Sequence, residues 1–183
     1  MKRKHILWPF IFIVLLLTGC TQTTPDLNIL FCGGALDAEQ TISCGIQLAQ
    51  HIHADNPSVS YLLTGSGKTQ DARLQDTFGQ SQFAAMITAR EVDIVICALE
   101  DDDMLAKNES FMALDQIFSE AEQLALQDRL ITYPSDPLAY GIDITGHTAV
   151  QSVFGNSPVG IFLADNCPNP ELAKGLIRQL VLS

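Results

Sequence analysis

Apolar positions recur with two different periods after residue 26, and their alternation predicts an α/β order. Residues 27–32 form a short apolar run that stops at Gly33-Gly34, the mark of a strand entering a tight turn. Over residues 37–53, Ala38, Ile42, Gly45 or Ile46, Ala49 and Ile52 share one stripe. That spacing predicts a helix with Asp37 as its N-cap, ended by Asn56-Pro57. Residues 58–64 read as a second strand, and the polar, glycine-containing residues 65–77 as a loop. Thr77 and Gln80 stand at capping-box spacing, so a second helix is expected from about residue 76 to about Arg90, with Phe83, Met86 and Ile87 inside. Residues 92–99 are nearly continuous in Val, Ile, Cys and Leu, with Asp93 as the interruption. A run of that kind suits a central parallel strand covered on both faces. Strand, helix, strand, helix, strand, with helices of crossover length, predicts right-handed βαβ units.

The second half is less regular. Glu100, Asp101, Asp102 and Asp103 open a short helix whose positive end suits them. Phe111, Met112, Leu114, Ile117 and Phe118 read as core anchors. Ser119 and Glu122 form another capping box, opening a helix to about Gln127. Residues 130–133 read as a short strand, 134–137 as a turn, 140–144 as an edge strand and 159–164 as a further strand. Asn169-Pro170 is an N-cap followed by proline at the first helical position, with Leu172, Leu176, Ile177 and Leu180 as the buried stripe. The expectation is one three-layer αβα domain with a mainly parallel sheet over residues 27–183.

The residues before that domain read as an address. Lys2, Arg3 and Lys4 precede an apolar stretch over residues 6–17, short for a bilayer core of about 30 Å. It ends in Leu17-Thr18-Gly19-Cys20, which resembles the bacterial lipobox, where a peptidase cuts before the cysteine and diacylglycerol is attached to its sulfur. The competing readings are an uncleaved anchor and an ordinary secretory signal. The resemblance implies a signal peptide over residues 1–19, lipid attachment at Cys20, a lipidated tether over 20–26 and a place on the extracytoplasmic face of the cell membrane.

Charge narrows the partners. The chain of 183 residues carries 10 basic and 21 acidic residues, a net charge of −11. Cleavage before Cys20 would remove three basic residues and leave −14. An acidic chain is poorly suited to a phosphate backbone or to anionic lipid heads, so no nucleic acid is expected and membrane contact falls to the lipid anchor. Hydrophobic residues make up 47%, which excludes wholesale disorder. Cys32, Cys44, Cys97 and Cys167 show no metal-finger spacing and allow three pairings that spacing does not rank. Cys97 reads as a small buried hydrophobe. Cys32 and Cys44 would meet if the first helix folds back over the first strand, and four free thiols are equally compatible.

Little of the chain suggests chemistry. Gly65-Ser66-Gly67-Lys68-Thr69 has the ending of a phosphate loop, but Leu62 occupies the place of the required first glycine. The plain reading is a polar loop at a strand's carboxyl end, where α/β sheets bind ligands. The acidic run from Glu100 lacks the calcium-loop pattern and reads as a solvated helix start. His51 and His53 do not share a helix face, and neither a nucleophile elbow nor a zinc-protease motif occurs. No catalytic residue, metal or cofactor is expected. Sheet geometry places the candidate ligand contacts at Ser66, Gly67, Lys68, Asp101 and Tyr140.

Three stretches carry a family resemblance. Residues 83–96, Phe-Ala-Ala-Met-Ile-Thr-Ala-Arg-Glu-Val-Asp-Ile-Val-Ile, resemble the helix-then-strand segment of extracellular solute-binding proteins. Residues 100–114, continuing into Asp115 through Glu109-Ser110-Phe111-Met112-Ala113-Leu114-Asp115, are similar to the helix and segment that follow. Residues 169–180 resemble the late helix that closes one lobe, and Tyr140-Gly141-Ile142-Asp143-Ile144 resembles a segment of small lipoproteins of this type. The implied fold is one lobe of a type II periplasmic binding protein, where the full family has two. The implied function is binding a small solute or assisting a transport system. The alternative is a lipoprotein that contacts a protein partner and has no small-molecule site.

Overall fold

The computed structural model describes residues 24–64, 70–99, 110–133 and 136–182. The leader with Cys20, the loop with Ser66, Gly67 and Lys68, and the acidic run with Asp101 lie outside them. The chain folds as β1 (Leu27–Gly33), α1 (Ala38–His51), β2 (Pro57–Leu63), α2 (Gln70–Thr88), β3 (Ile94–Ala98), α3 (Glu120–Ala125), β4 (Leu130–Tyr133), β5 (Asp136–Asp143), α4 (Thr148–Phe154), β6 (Val159–Leu163) and α5 (Pro170–Leu182). Short 3-10 turns at Leu114–Gln116 and Gln127–Arg129 flank α3. Among the described residues, no helix is long and apolar enough to cross a membrane.

One six-stranded sheet runs β2-β1-β3-β6-β5-β4. β1 pairs parallel with β2 and β3, whereas β3–β6, β6–β5 and β5–β4 are antiparallel. The expectation of a mainly parallel sheet is therefore wrong: the sheet is mixed, and most of its strand pairs are antiparallel. The reason lies in the connections. α1 and α2, of 14 and 19 residues, are long enough for crossovers, so the first half winds in parallel. After β3, strands β4 and β5 follow one another with two residues between them, too few for the crossover that two parallel strands need, so they pair antiparallel.

The interior strand of residues 92–99 is realised as Ile94–Ala98, buried at every position, with a parallel neighbour on one side and an antiparallel one on the other. The segment at 140–144 is also corrected. It belongs to a longer strand lying between β6 and β4, so β4 rather than β5 forms that edge. α2 begins at Gln70, earlier than the capping-box pair Thr77 and Gln80 suggests. No Gly or Pro interrupts residues 70–78, and their helix formers carry the helix back through the polar stretch.

Strand register divides the core into two faces. Ile29, Phe31, Ile94, Ile96, Ile161 and Leu163 point one way, and Leu30, Cys32, Val95, Cys97 and Phe162 the other. α1 and α4 cover the first face. Gly45 of α1 comes so close that an added Cβ would meet Val59 Cγ1 at 2.6 Å, and Phe154 of α4 stacks on Phe31 at 6.2 Å between centroids. α5 packs on β6 and α1 with Ala173, Leu176, Ile177, Leu180 and Val181 buried. The second face is covered by α2 and by Phe111. Phe83 lies 6.0 Å from Phe111, which lies 4.9 Å from Phe162.

Candidate functional site

In order β2-β1-β3, the connection β1–α1–β2 runs over one face and β2–α2–β3 over the other. The carboxyl ends of β1 and β3 therefore meet at a switch point, where open α/β sheets form a crevice. β1 ends at Gly33, whose carbonyl accepts from Thr64 N–H at 3.1 Å and so ties the end of β2 to it. Thr64 is buried. The chain then turns through exposed Gly34 and Ala35 to Asp37, whose carboxylate accepts from Gln40 N–H at 2.9 Å and caps α1 as expected. Gly33 has little room beside it, since an added Cβ would meet Leu36 Cδ2 at 3.1 Å and Phe154 at 3.4 Å.

The end of β3 is fixed from the other side. Leu99 N–H donates to Pro158 O at 2.8 Å, holding it against the start of β6. β5 reaches the same edge, where Asp143 accepts from Thr145 N–H at 2.7 Å and the Thr145 hydroxyl accepts from Val159 N–H at 2.9 Å. The described rim thus consists of backbone turns, the Asp37 and Asp143 carboxylates and two threonines. Of the candidate ligand residues, Ser66, Gly67, Lys68 and Asp101 fall outside the described residues.

Tyr140 is described, and it stands at the opposite end. Gly141 pairs with Phe162, which pairs with Val95, so Tyr140 lies level with Ile94, where β3 begins. Its Cα is four residues of strand rise, roughly 13 Å, from the level of Ala98. Half-buried on β5, it is not brought to the carboxyl-end crevice.

Two surface features were not legible in the sequence. A shallow groove of about 750 Å³ runs along the outer side of α1 past Ala38, Ile42, Ser43, Ile46 and Gln50. Ile42 and Ile46 are exposed there, as are Tyr61 and Leu63 on the α1-covered face of edge strand β2. A second groove of about 380 Å³ lies where His51, His147, Thr148, Leu176 and Gln179 meet. His147 Nδ1 accepts from Ala149 N–H at 3.2 Å and caps α4. The sequence pattern predicts no helix over 148–154, where the structure has α4, ended by Gly155 at φ 60.

Cys44 donates to Ala149 O at 3.1 Å from the α1 side, whereas Cys32 points to the other face of the sheet, so those two do not meet. Burial pushes the Cys44 thiol up to about 11. Cys167 is likewise raised to about 11, by burial first and then by the nearby Asp93 charge. Among the described residues, no three His, Cys, Asp or Glu side chains cluster as a metal site. Comparison with protein-family models, with curated proteins and with solved structures returned no match.

Proposed function

We propose that this chain is a lipid-anchored extracytoplasmic binding domain, tethered through Cys20, that takes a small solute at the carboxyl ends of β1 and β3 or presents it to a transport system. The observation that carries the reading is the switch point between β1 and β3, with Gly33-Gly34 and the start of α1 opening onto it. The lipobox-like Leu17-Thr18-Gly19-Cys20 and the basic residues ahead of it support the anchor. The resemblance of residues 83–96, 100–114 and 169–180 to segments of solute-binding proteins supports a role in binding.

Two experiments test the two halves. Cells expressing the chain and fed labelled palmitate should incorporate label into the wild type and not into Cys20→Ser; label in neither, or in both, removes the anchor. A thermal-shift screen with sugars, peptides and metal salts should find a solute that raises the unfolding temperature, because a ligand that prefers the folded chain stabilises it.

The exposed Ile42, Ile46, Tyr61 and Leu63 favour a second reading, in which the face beside β2 contacts a protein partner. A photocrosslinking residue at position 61 distinguishes them in cells. The second reading expects one discrete crosslinked species, and the first expects none.

A further inference from the structure

We infer that Cys32 and Cys97 form a disulfide site, closing a bond between β1 and β3 under oxidising conditions. The two residues are register partners on adjacent parallel strands. Register partners of a parallel pair share a face, so both sulfurs leave the sheet on the same side. Neighbouring strands lie about 4.8 Å apart, which falls within the Cα separation that disulfides span. Both residues are thiols and both are fully buried.

The other thiols are placed apart from this pair. Cys44 is on α1, across the sheet, with its Sγ donating to Ala149 O. Cys167 follows β6 beyond the point where Ala164 N–H donates to Asp93 O, at the amino end of β3, whereas Cys97 lies one residue from its carboxyl end. Of the three ways to pair four cysteines, only the one that joins Cys32 to Cys97 uses neighbours in register.

The bond would enclose α1, β2 and α2 in one covalent loop and clamp the two strands next to Gly33 and Ala98, at the rim of the proposed crevice. Its setting rests on the extracytoplasmic reading, since disulfides persist in oxidising compartments. The oxidant is a small-molecule or protein disulfide. Each cysteine loses its thiol proton, the Cys32–Cys97 bond forms, and the oxidant's S–S bond takes up the two electrons and two protons to become two thiols. Because both side chains are buried, the exchange takes place as the chain folds, before α2 covers that face.

The test uses the full chain in detergent, unfolded with reductant and refolded with oxidised glutathione, then alkylated and digested without reduction. The peptide holding Cys97 should be found joined to the peptide holding Cys32, with the loss of two hydrogens in mass. Cys44→Ser and Cys167→Ser should keep the link, and Cys32→Ser should lose it. The wild type, read by thermal unfolding, should melt higher after oxidative refolding than in reductant, which requires no variant to fold. Alkylated Cys32 and Cys97 after oxidative refolding, or a link through Cys44 or Cys167, would overturn the inference. A link in the refolded chain, with both thiols reduced in chain taken from cell membranes, would support the site and count against the extracytoplasmic setting.

Discussion

Asp93 holds Asn28 by both its backbone and its side chain: Asn28 N–H and Nδ2 each donate to Asp93 Oδ2 at 2.8 Å. The second carboxylate oxygen accepts from Asn169 N–H at 2.7 Å, at the entrance to α5. One fully buried side chain thus joins the start of β1, the approach to β3 and the start of α5.

Removing that acceptor leaves three half-buried donors, Asn28 N–H, Asn28 Nδ2 and Asn169 N–H, without their partner, which costs more than the bonds themselves contribute. Asp93→Ala should therefore destabilise the chain by about 3 kcal/mol or more. Asp93→Asn, which keeps one oxygen, should cost less. Urea unfolding measures both, and an Asp93→Ala variant as stable as wild type would show that these bonds do not tie the elements together.

Gly45 is where α1 touches the sheet. An added methyl would meet Val59 Cγ1 and Cγ2 at 2.6 Å and Phe31 Cε2 at 3.2 Å. Alanine in a helix interior normally gains about 1 kcal/mol over glycine; here overlap should outweigh it and Gly45→Ala should lose roughly 1–2 kcal/mol. In a Val59→Ala background the same substitution should become neutral or stabilising. A double-mutant cycle by thermal unfolding reads the reversal.

Glu122 carries the acid sensitivity of the α3 end. Its carboxylate accepts from Ser119 N–H at 2.9 Å and from the Ser119 hydroxyl at 2.8 Å, and it pairs with Arg178 of α5. The Ser119 bonds, then the Arg178 charge, hold its pKa below the ordinary glutamate range. A carboxyl lowered on folding stabilises above its unfolded pKa and loses that contribution as pH falls through the folded one. Glu122→Gln should be less stable than wild type near neutral pH, and the two should converge in acid. A gap that widened in acid would reverse the sign.

Cys44 and Cys167 behave oppositely. Both thiols titrate at about 11 in the folded chain, above an exposed cysteine. A raised thiol stabilises fully below its unfolded pKa, and the contribution disappears as pH rises through about 11. In the folded chain both should resist iodoacetamide at pH values where an exposed cysteine reacts, and become reactive on unfolding. Rapid labelling of either thiol in folded protein near pH 8–9, where an exposed cysteine titrates, would contradict this.

Much of the first half was legible because local signals and long-range packing agree there. The apolar run ending in Gly33-Gly34, the stripe behind Asp37 and the Val-Ile run before Cys97 each predict the element found, although α1 buries Thr41, Cys44, Gly45, Leu48 and Ala49 and leaves Ile42 and Ile46 of that stripe exposed. The reversal of direction after β3 was not legible, since it depends on β6 pairing beside β3 and on β4 and β5 pairing with each other, which spacing alone did not reveal. Nor was the contact of Phe162 with Gly141 and Gly160, whose missing side chains leave room for its ring. Asp93 read only as a break in a strand, because its partners are 65 and 76 residues away. Tyr140 was grouped with the loops after β2 and β3, and only the register of β5 reveals that it stands at the other end.

The site itself is tested most directly by backbone amide shifts of the folded chain, titrated with the solute that the thermal screen selects. The account predicts saturable shifts at Gly34, Ala35, Asp37 and Thr64, with Ser66 to Lys68 and Asp101 moving alongside and Tyr140 unmoved. Shifts confined to α1 and β2, or no shift with any solute, would contradict a ligand site at the carboxyl ends of β1 and β3.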